Sequence, residues 1–329
     1  MIISKTPLRM SFVGGGSDLP AFYQQNGPGK VVSSAINHSV YVIVKKRFER
    51  GFRCSYSSTE NVLNVTDIQH PYIRNALLEA KVQENLEIIS AADIPSNGSG
   101  LGSSSSFSVG LYKSLDSFFG RSNFPDYYAE KACNLEINLC GNMIGKQDQY
   151  AASFGGLREY QFHENGAVTN SNVVISEQME YFLNNHLISI YIGGSRSAST
   201  ILEQKSMSLK RDKNKIGVLK QMVSLVDEFV AALKNDDFLE IGKLMHYNWE
   251  LKASLSSEIA NNLIDSIYQK AIKAGASGGK LLGAGGGGFM TFVVDDIDRR
   301  GAVEDSLSDH VLVDFKMNPN GSEIIYGGI

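Results

Sequence analysis

The sequence predicts an α+β fold of two domains, and three observations support this prediction. The 329 residues exceed one average domain and suit two. Strand-like and helix-like segments occur in both halves, without the regular β–α alternation that is typical of a doubly wound parallel sheet. No repeat recurs at the periods of solenoid proteins. We therefore expect a domain change near residue 180, which gives domains 1–180 and 181–329.

The first half mixes short β-branched runs with helical ones. Phe107, Leu111, Leu115 and Phe118 form one apolar stripe and predict a helix directly after a glycine- and serine-rich loop. Proline and glycine positions bound the other helices. Strands are predicted at 2–3, 9–13, 31–34, 40–46, 86–91, 160–162 and 173–175, and further helices at 71–84, 126–139 and 144–152.

The second half is dominated by long helical patterns. A strand at 187–192 opens it, and a glycine loop at 278–288 leads into a strand at 289–294. Apolar residues recur at helical spacing between these strands. The predicted helices cover 216–234, 238–254 and 258–274, and the C-terminal residues alternate strand and turn.

Composition and charge exclude several classes of protein. The chain is 43% hydrophobic and 20% charged, as ordinary globular proteins are. Its net charge of −4 and pI near 5.9 argue against binding to nucleic acid or to an anionic membrane. We see no secretory signal and no apolar run long enough to span a bilayer. Three cysteines outside any CxxC motif are expected to be reduced, and we expect a cytoplasmic protein.

The glycine- and serine-rich loop at 95–106 has the clearest chemistry. The first N–H groups of a helix lack internal partners, and the helix dipole adds positive charge there. Glycines let such groups approach an anion closely, and serine hydroxyls can contact phosphate or Mg²⁺. The loop matches neither the Walker A pattern nor the dinucleotide fingerprint. It predicts a phosphate site, with a serine-capped helix after a flexible loop as the alternative.

Two further segments combine glycines with charged residues. Four consecutive glycines at 285–288 are costly in chain entropy, which favours close approach to a ligand or to the other glycine loop over a simple turn. Arg9 lies in an apolar strand, either at a surface edge or buried against a carboxylate or phosphate. Asp18 either caps a helix that begins near Leu19 or hydrogen-bonds to sugar hydroxyls.

Together the three segments resemble the motifs of the GHMP kinases, the family of galactokinase, homoserine kinase and mevalonate kinase. Residues 95–106 resemble the PxxxGLGSSA motif, with Ser105 in place of alanine, and residues 280–288 resemble the GAGGGG motif. Residues 9–18 resemble the N-terminal substrate motif. The resemblance covers essentially the whole chain. It implies an N-terminal domain like ribosomal protein S5 domain 2, a ferredoxin-like C-terminal domain, and an active site in the cleft between them.

The resemblance also implies a site for phosphoryl transfer, with ATP and Mg²⁺ as cofactors. Glu136 matches the family's metal-ligand glutamate and would hold Mg²⁺ with Ser104, or with Ser103 as the next choice. Asp148 matches the aspartate that accepts the hydroxyl proton. Arg9 would keep that carboxylate ionised and stabilise the transferred charge. Outside the family context, both acids would be interpreted as solvated helix residues.

The nucleotide and the acceptor are assigned separate sets of residues. Those expected to bind the nucleotide are Pro95, Asn97, Gly98, Ser99, Gly100, Leu101, Gly102, Ser103, Ser104 and Ser105. Those expected to bind the acceptor are Gly15, Gly16, Ser17, Asp18, Arg196, Gly285 and Gly286.

The first motif narrows the expected acceptor. It lacks the Glu-His pair of galactokinases and resembles the subgroup that acts on D-glycero-D-manno-heptose 7-phosphate in bacterial surface-polysaccharide synthesis. Arg196 suits a bidentate contact to the substrate phosphate, or is an exposed turn residue. The expected reaction phosphorylates the anomeric hydroxyl to the 1,7-bisphosphate. The alternatives are a 1-kinase for fucose, galactose or an N-acetylhexosamine, and a non-catalytic sensor on the same fold.

Overall fold

The computed structural model describes residues 1–94, 98–193, 212–256, 259 and 261–327. The strands are β1 Ile2–Val13, β2 Gly29–Lys46, β3 Phe52–Ser55, β4 Thr59–Val62, β5 Leu86–Ala92, β6 Leu157–Phe162, β7 Val168–Asn172, β8 Leu187–Gly193, β9 Gly278–Leu281, β10 Gly288–Val293, β11 Val311–Val313 and β12 Glu323–Gly327. The helices are α1 Pro20–Asn26, α2 Pro71–Glu79, α3 Ser103–Phe118, α4 Pro125–Cys133, α5 Gln147–Phe154, α6 Glu177–Asn185, α7 Lys213–Lys234, α8 Phe238–Ser254, α9 Asn262–Ala274 and α10 Arg300–Ser306.

The first sheet is built around the long strand β2. Its strand order is β12-β1-β2-β5-β3-β4. In addition, β6 pairs with β2, and β7 pairs with β6. The C-terminal part of β2 pairs with β5, while its N-terminal part pairs with β6. All of these pairings are antiparallel except the one between β3 and β5. Helix α3 packs across β1 and β2, which fixes where its N-terminus points.

The second sheet has the strand order β11-β8-β10-β9, with antiparallel pairing throughout. Numbered by their order in the chain, its four strands lie as 4-1-3-2, which is the ferredoxin-like arrangement. Helices α7, α8 and α9 lie between β8 and β9 in the sequence, and α10 lies between β10 and β11. This sheet matches the C-terminal fold that the family resemblance implied.

Two pairs of predicted strands are single strands in the structure. Segments 2–3 and 9–13 belong to β1, and segments 31–34 and 40–46 belong to β2. Polar residues lie between segments 2–3 and 9–13, but the buried hydroxyl of Ser4 donates to the Gly110 carbonyl, and that of Thr6 pairs with Ser322. Because buried hydroxyls with partners cost little, the strand continues through them.

The position of the last strand differs from the expectation that residues 181–329 form the second domain. β12 pairs with β1 in the first sheet, so the chain returns to its N-terminal half at the end. The predicted helix at 126–139 also differs, because α4 ends at Cys133 and a π-helical turn follows at Asn134–Leu139. That turn carries Glu136 and turns its carboxylate inward, where it is fully buried.

The two halves meet along the end of β1. Phe12 stacks on Phe229 of α7 with ring centroids 5.5 Å apart, and Lys280 of β9 donates to the Phe12 carbonyl at 2.8 Å. The Gly14 amide donates to Asn248 Oδ1 of α8 at 3.1 Å. These contacts hold the N-terminal motif against the C-terminal half, beside a cleft that residues of both halves line. Within the described residues, no helix is both long and apolar enough to cross a bilayer.

Candidate active site

One cavity in the cleft brings together the three glycine-containing motifs. It is bounded by the N-terminal motif, the start of α3, the start of α5 and the second glycine loop. The predicted site residues on its wall are Arg9, Gly15, Gly16, Asp18, Gly98, Ser99, Gly100, Gly102, Ser103, Ser104, Ser105 and Asp148. A single cavity therefore joins the expected phosphate loop to the expected proton acceptor.

Arg9 and Asp148 form a bidentate ion pair in this cavity. The Arg9 Nε and Nη2 atoms donate to the two carboxylate oxygens of Asp148, both at 2.7 Å. Arg9 Nη1 donates to the Gly100 carbonyl at 2.6 Å, which ties the pair to the phosphate loop. Arg9 is only 4% exposed, whereas the Asp148 side chain is 25% exposed. Arg9 is thus buried against a carboxylate, and Asp148 remains accessible to a substrate.

Gly102 connects this pair to the expected phosphate site. It precedes α3 with a left-handed φ of 76°, and no side chain caps the first turn. A Cβ at Gly102 would lie 3.3 Å from Asp148 Oδ2, so the carboxylate sits against the mouth of the helix. The amides of the first turn are therefore placed to bind an anion next to Asp148.

The second glycine run packs directly against the first. A Cβ at Gly283 would lie 2.4 Å from Gly100 Cα, and one at Gly288 would lie 2.5 Å from the Ser99 carbonyl oxygen. Of the two explanations for this run, the structure shows the approach to the other glycine loop. Gly283 and Ala284 line the cavity. Gly285 and Gly286, which we had assigned to the acceptor, lie against Ile259 instead.

Glu136 lies behind the start of α3 in a network of neutral donors. Ser105 and Ser108 donate to its carboxylate at 2.9 and 2.6 Å, and Gln149 donates at 2.8 Å. Burial raises its pKa from 4.5 to about 7, because nothing in this network supplies a compensating positive charge. Ser104, which we expected to hold Mg²⁺ together with Glu136, is not among the serines that donate to this carboxylate. Ser104 is exposed and lies beside the Tyr72 hydroxyl, since successive residues of a helix face different directions.

The donor set around Glu136 fits a magnesium ion that takes its other ligands from a nucleotide. Mg²⁺ in proteins is commonly held by one or two carboxylates together with substrate phosphates. Beside the Glu136 carboxylate, Gln149 Oε1 is buried and has no hydrogen-bond partner among the described residues. No group of three or more His, Cys, Asp or Glu side chains forms an all-protein metal site in the described ranges.

Asp18 is the second carboxylate of the cavity. It accepts from the Gly16 amide at 2.9 Å, and its Oδ2 atom occupies the space that a Cβ at Gly145 would need, 1.8 Å away. Burial and the negative charge of Asp148 raise its pKa. Asp18 therefore lies deep in the site instead of capping α1. Ser17, expected to bind the acceptor, is fully buried and donates to the Gly14 and Lys30 carbonyls.

A second cavity of about 600 Å³ meets the first at the start of α3, where Ser103 and Ser104 line both. Tyr56, His70 and Phe107 form its aromatic wall, and His70 packs 4.6 Å from Tyr56 and 5.3 Å from Phe107 between ring centroids. Burial lowers the pKa of His70, which favours the neutral ring. Sequence reasoning did not assign this cavity, since its residues are spread over β2, β5, α2, α3 and the loops beside them, without a motif.

Two cavity lysines were also missed. Lys252 of α8 and Lys280 of β9 line the first cavity, although they are only 5% and 1% exposed. The position of Lys280 at the start of the second glycine motif could have indicated its place in the site. No pattern in the sequence indicated the same for Lys252. Leu101 is fully buried, and its backbone carbonyl accepts a hydrogen bond from the backbone amide of Arg9. Pro95, Asn97 and Arg196 lie outside the described residues.

Comparison with known proteins agrees with this architecture. The family model for the GHMP kinases N terminal domain matches residues 71–156, and the model for GHMP kinases C terminal matches residues 229–311. A D-glycero-alpha-D-manno-heptose 7-phosphate kinase of Campylobacter jejuni is 30% identical over 308 residues, which cover 89% of this chain and 89% of that one. A bifunctional fucokinase/GDP-fucose pyrophosphorylase of Arabidopsis thaliana is 28% identical over 94% of this chain but only 31% of its own length.

A solved structure extends the agreement to three dimensions. The D-glycero-D-manno-heptose 1-phosphate kinase from Bacteroides thetaiotaomicron superposes with a TM-score of 0.79 and 21% identity, over 99% of each chain. These matches confirm the two-domain fold that the motifs predicted. This chain belongs to the GHMP kinase family, and it is a phosphotransferase with an alcohol group as acceptor.

Proposed function

We propose that this enzyme transfers the γ-phosphoryl group of ATP to the anomeric hydroxyl of D-glycero-D-manno-heptose 7-phosphate and forms the 1,7-bisphosphate. The product would serve the synthesis of nucleotide-activated heptose for surface polysaccharide. The observation that carries the proposal is the position of Asp148. Its carboxylate is held by Arg9 and lies against Gly102, at the mouth of the helix that would bind the phosphates.

The nucleotide would span the two cavities that meet at Ser103 and Ser104. GHMP kinases use ATP, and the amides of the first turn of α3 suit its phosphates. The base would lie in the aromatic cavity beside Tyr56, His70 and Phe107, whose rings offer stacking surfaces. Glu136, with hydroxyls at the start of α3, would hold the magnesium ion that neutralises phosphate charge when it is bound.

Asp148 would accept the proton of the acceptor hydroxyl. An anomeric hydroxyl is more acidic than an ordinary alcohol, so one carboxylate base suffices. Arg9 holds both oxygens of that carboxylate and so fixes its orientation. The same guanidinium lies beside the loop of Gly100, where it would stabilise negative charge on the group in transfer. Asp18 would bind sugar hydroxyls from the other side of the cavity.

The choice of acceptor rests on the N-terminal motif and on the Campylobacter jejuni relative, whose name specifies heptose 7-phosphate. Because the fucokinase relative is 28% identical to this chain, a phosphate-free sugar is the alternative acceptor. An ATP-consumption assay across a panel of sugars and sugar phosphates separates them. We expect kcat/KM for heptose 7-phosphate to exceed that for every phosphate-free sugar at least tenfold. Equal or better turnover of fucose or galactose would refute the proposed acceptor.

A further inference from the structure

Gln149 follows the proposed base directly in the chain, and its side chain contacts the other carboxylate beside α3. Both Asp148 and Gln149 lie in the first turn of α5. Successive residues of a helix point in different directions, so the two side chains have different neighbours. Asp148 pairs with Arg9 and is a quarter exposed, whereas Gln149 is fully buried and its amide donates to Glu136 Oε2 at 2.8 Å. Helix α5 therefore contributes to both carboxylate sites.

Two helices hold the Glu136 carboxylate in place. Ser108 donates to its Oε1 atom at 2.6 Å and Ser105 to its Oε2 atom at 2.9 Å, and both serines belong to α3. Gln149 is the donor from α5, and it shares Oε2 with Ser105. The start of α3 is the proposed phosphate site, and α5 carries the proposed base. The amide of Gln149 thus ties the proposed metal ligand to the helix of the base.

A neutral amide suits this position. A carboxylate that is to hold a cation has to be oriented while its negative charge stays available, and the groups that hydrogen-bond to it set that orientation. An ammonium or guanidinium group would orient Glu136 as well but would compensate its charge, as Arg9 does for Asp148. The three donors to Glu136 are all neutral. They use three of the roughly four lone-pair positions of a carboxylate, which leaves one for a cation.

The second polar atom of this amide separates orientation from stability. Gln149 Oε1 is buried and accepts no hydrogen bond from the described residues. The stabilisation from a hydrogen bond to a carboxylate and the penalty for one unpaired buried acceptor are of similar size and opposite sign. The amide therefore adds little net stability to the fold, and its main consequence is the orientation of Glu136.

We propose that Gln149 is a positioning residue that fixes the Glu136 carboxylate for magnesium binding. Gln149 is not among the described residues that line either cavity, so it acts through Glu136 and not on a substrate. This inference rests on the proposed function, because it takes Glu136 as the ligand of the magnesium ion that accompanies the nucleotide. It deepens that function by naming the residue on which the geometry of the ligand depends.

The test measures how strongly magnesium supports nucleotide binding, without any turnover. Calorimetry gives the Kd of a non-hydrolysable ATP analogue in excess Mg²⁺ and in EDTA, for wild type, Gln149→Met, Glu136→Gln and the double variant. The ratio of the two Kd values does not depend on the fraction of folded protein, so a destabilised variant still reports. Ser153→Ala is the matched control, because Ser153 also lies on α5, is 3% exposed and donates one hydrogen bond, to the Pro125 carbonyl at 2.6 Å.

We expect magnesium to lower the Kd of the analogue in wild type. Gln149→Met should reduce this effect of magnesium about tenfold, in the range found when a group that orients a metal ligand is removed. Its Kd in EDTA should stay close to that of wild type. Ser153→Ala should keep the full effect of magnesium, even where its Tm falls as far as that of Gln149→Met. The double variant should lose no more than Glu136→Gln alone, because Gln149 acts through that carboxylate.

Two results would overturn the inference and leave the proposed function intact. If Gln149→Met keeps the full effect of magnesium, the two serines suffice to hold Glu136, and Gln149 only fills the core. If the losses of the two single variants multiply in the double variant, Gln149 acts independently of Glu136. A third result concerns the proposed function itself: if Glu136→Gln keeps the effect of magnesium, Glu136 is not a metal ligand, and its proposed role fails together with that of Gln149.

Discussion

Glu136 and Asp148 are two carboxylates beside the same helix start, and their surroundings are opposite. Glu136 is fully buried among neutral donors, and burial raises its pKa to about 7. Asp148 is a quarter exposed and bound at both oxygens by a guanidinium. Neutral donors orient the Glu136 carboxylate but do not compensate its negative charge. Arg9 both orients the Asp148 carboxylate and compensates its charge. This difference supports the two proposed roles: Glu136 has no positively charged partner among its described hydrogen-bond donors, as suits a proposed cation ligand, whereas Asp148 is paired with Arg9 and is accessible, as suits the proposed proton acceptor.

The largest expected effect comes from Asp148→Asn. An amide keeps the shape of the side chain but cannot accept the hydroxyl proton, so kcat should fall about 10²- to 10⁴-fold, the usual range for a general base. Affinity for a nucleotide analogue, measured by calorimetry, should stay within a few-fold of wild type. Turnover within about tenfold of wild type, or roughly 1.4 kcal/mol of barrier, would remove Asp148 from the role of base.

Glu136→Gln should have the next largest effect, and of a different kind. The variant retains hydrogen-bonding capacity toward Ser105 and Ser108 but loses the charge that would hold magnesium. We expect kcat to fall about 100-fold and the half-saturating magnesium concentration to rise. A magnesium titration of initial rates checks both. An unchanged magnesium dependence would mean that Glu136 is only a structural acid.

The pKa of Glu136 also gives a stability difference that depends on pH. Its folded-state pKa is raised from 4.5 to about 7, so the folded protein binds the proton more tightly than the unfolded chain. The nucleotide-free enzyme should therefore lose up to about 3 kcal/mol relative to Glu136→Gln as pH rises from 4.5 through 7. Thermal unfolding of both proteins between pH 5 and 8 measures it. Parallel curves would show that Glu136 titrates normally.

Gly145→Ala extends the comparison to Asp18 and has the smallest expected effect. The backbone of Gly145 is not left-handed, but a Cβ would lie 1.8 Å from Asp18 Oδ2 and displace that carboxylate. We expect the acceptor KM to rise about tenfold while the KM for ATP stays within twofold, since roughly one hydrogen bond is lost. Gly217→Ala, whose Cβ meets nothing within 4 Å, is the control. Equal acceptor KM values in both variants would exclude Asp18 from acceptor binding.

The sequence was informative wherever a motif concentrates the chemistry in consecutive residues. The loop of Gly100 and Gly102 precedes α3 as predicted, and Arg9 meets Asp148 although they lie 139 positions apart. The sequence also predicted the bounds of helix α8 correctly, at Phe238–Ser254. In these places local pattern and tertiary packing favour the same answer.

The sequence was less informative where packing decides between neighbouring side chains. Ser105 and Ser108 donate to Glu136 while Ser104 is exposed, because the rotation of α3 against β1 and β2 determines which hydroxyls turn inward. Lys252 belongs to no motif, and only the packing of its helix α8 against β9 buries it. The aromatic cavity of Tyr56 and His70 has no contiguous pattern, since separate elements assemble it.

The pairing of β12 with β1 in the first sheet has a consequence for folding during synthesis. β1 is synthesised long before β12, so its edge at Ile2–Lys5 stays unpaired until Glu323–Gly327 has been made. Such an open edge can recruit a strand from another nascent chain. A chain shortened before Glu323 would keep every described residue of the cavity and still expose that edge, so we expect it to aggregate during expression.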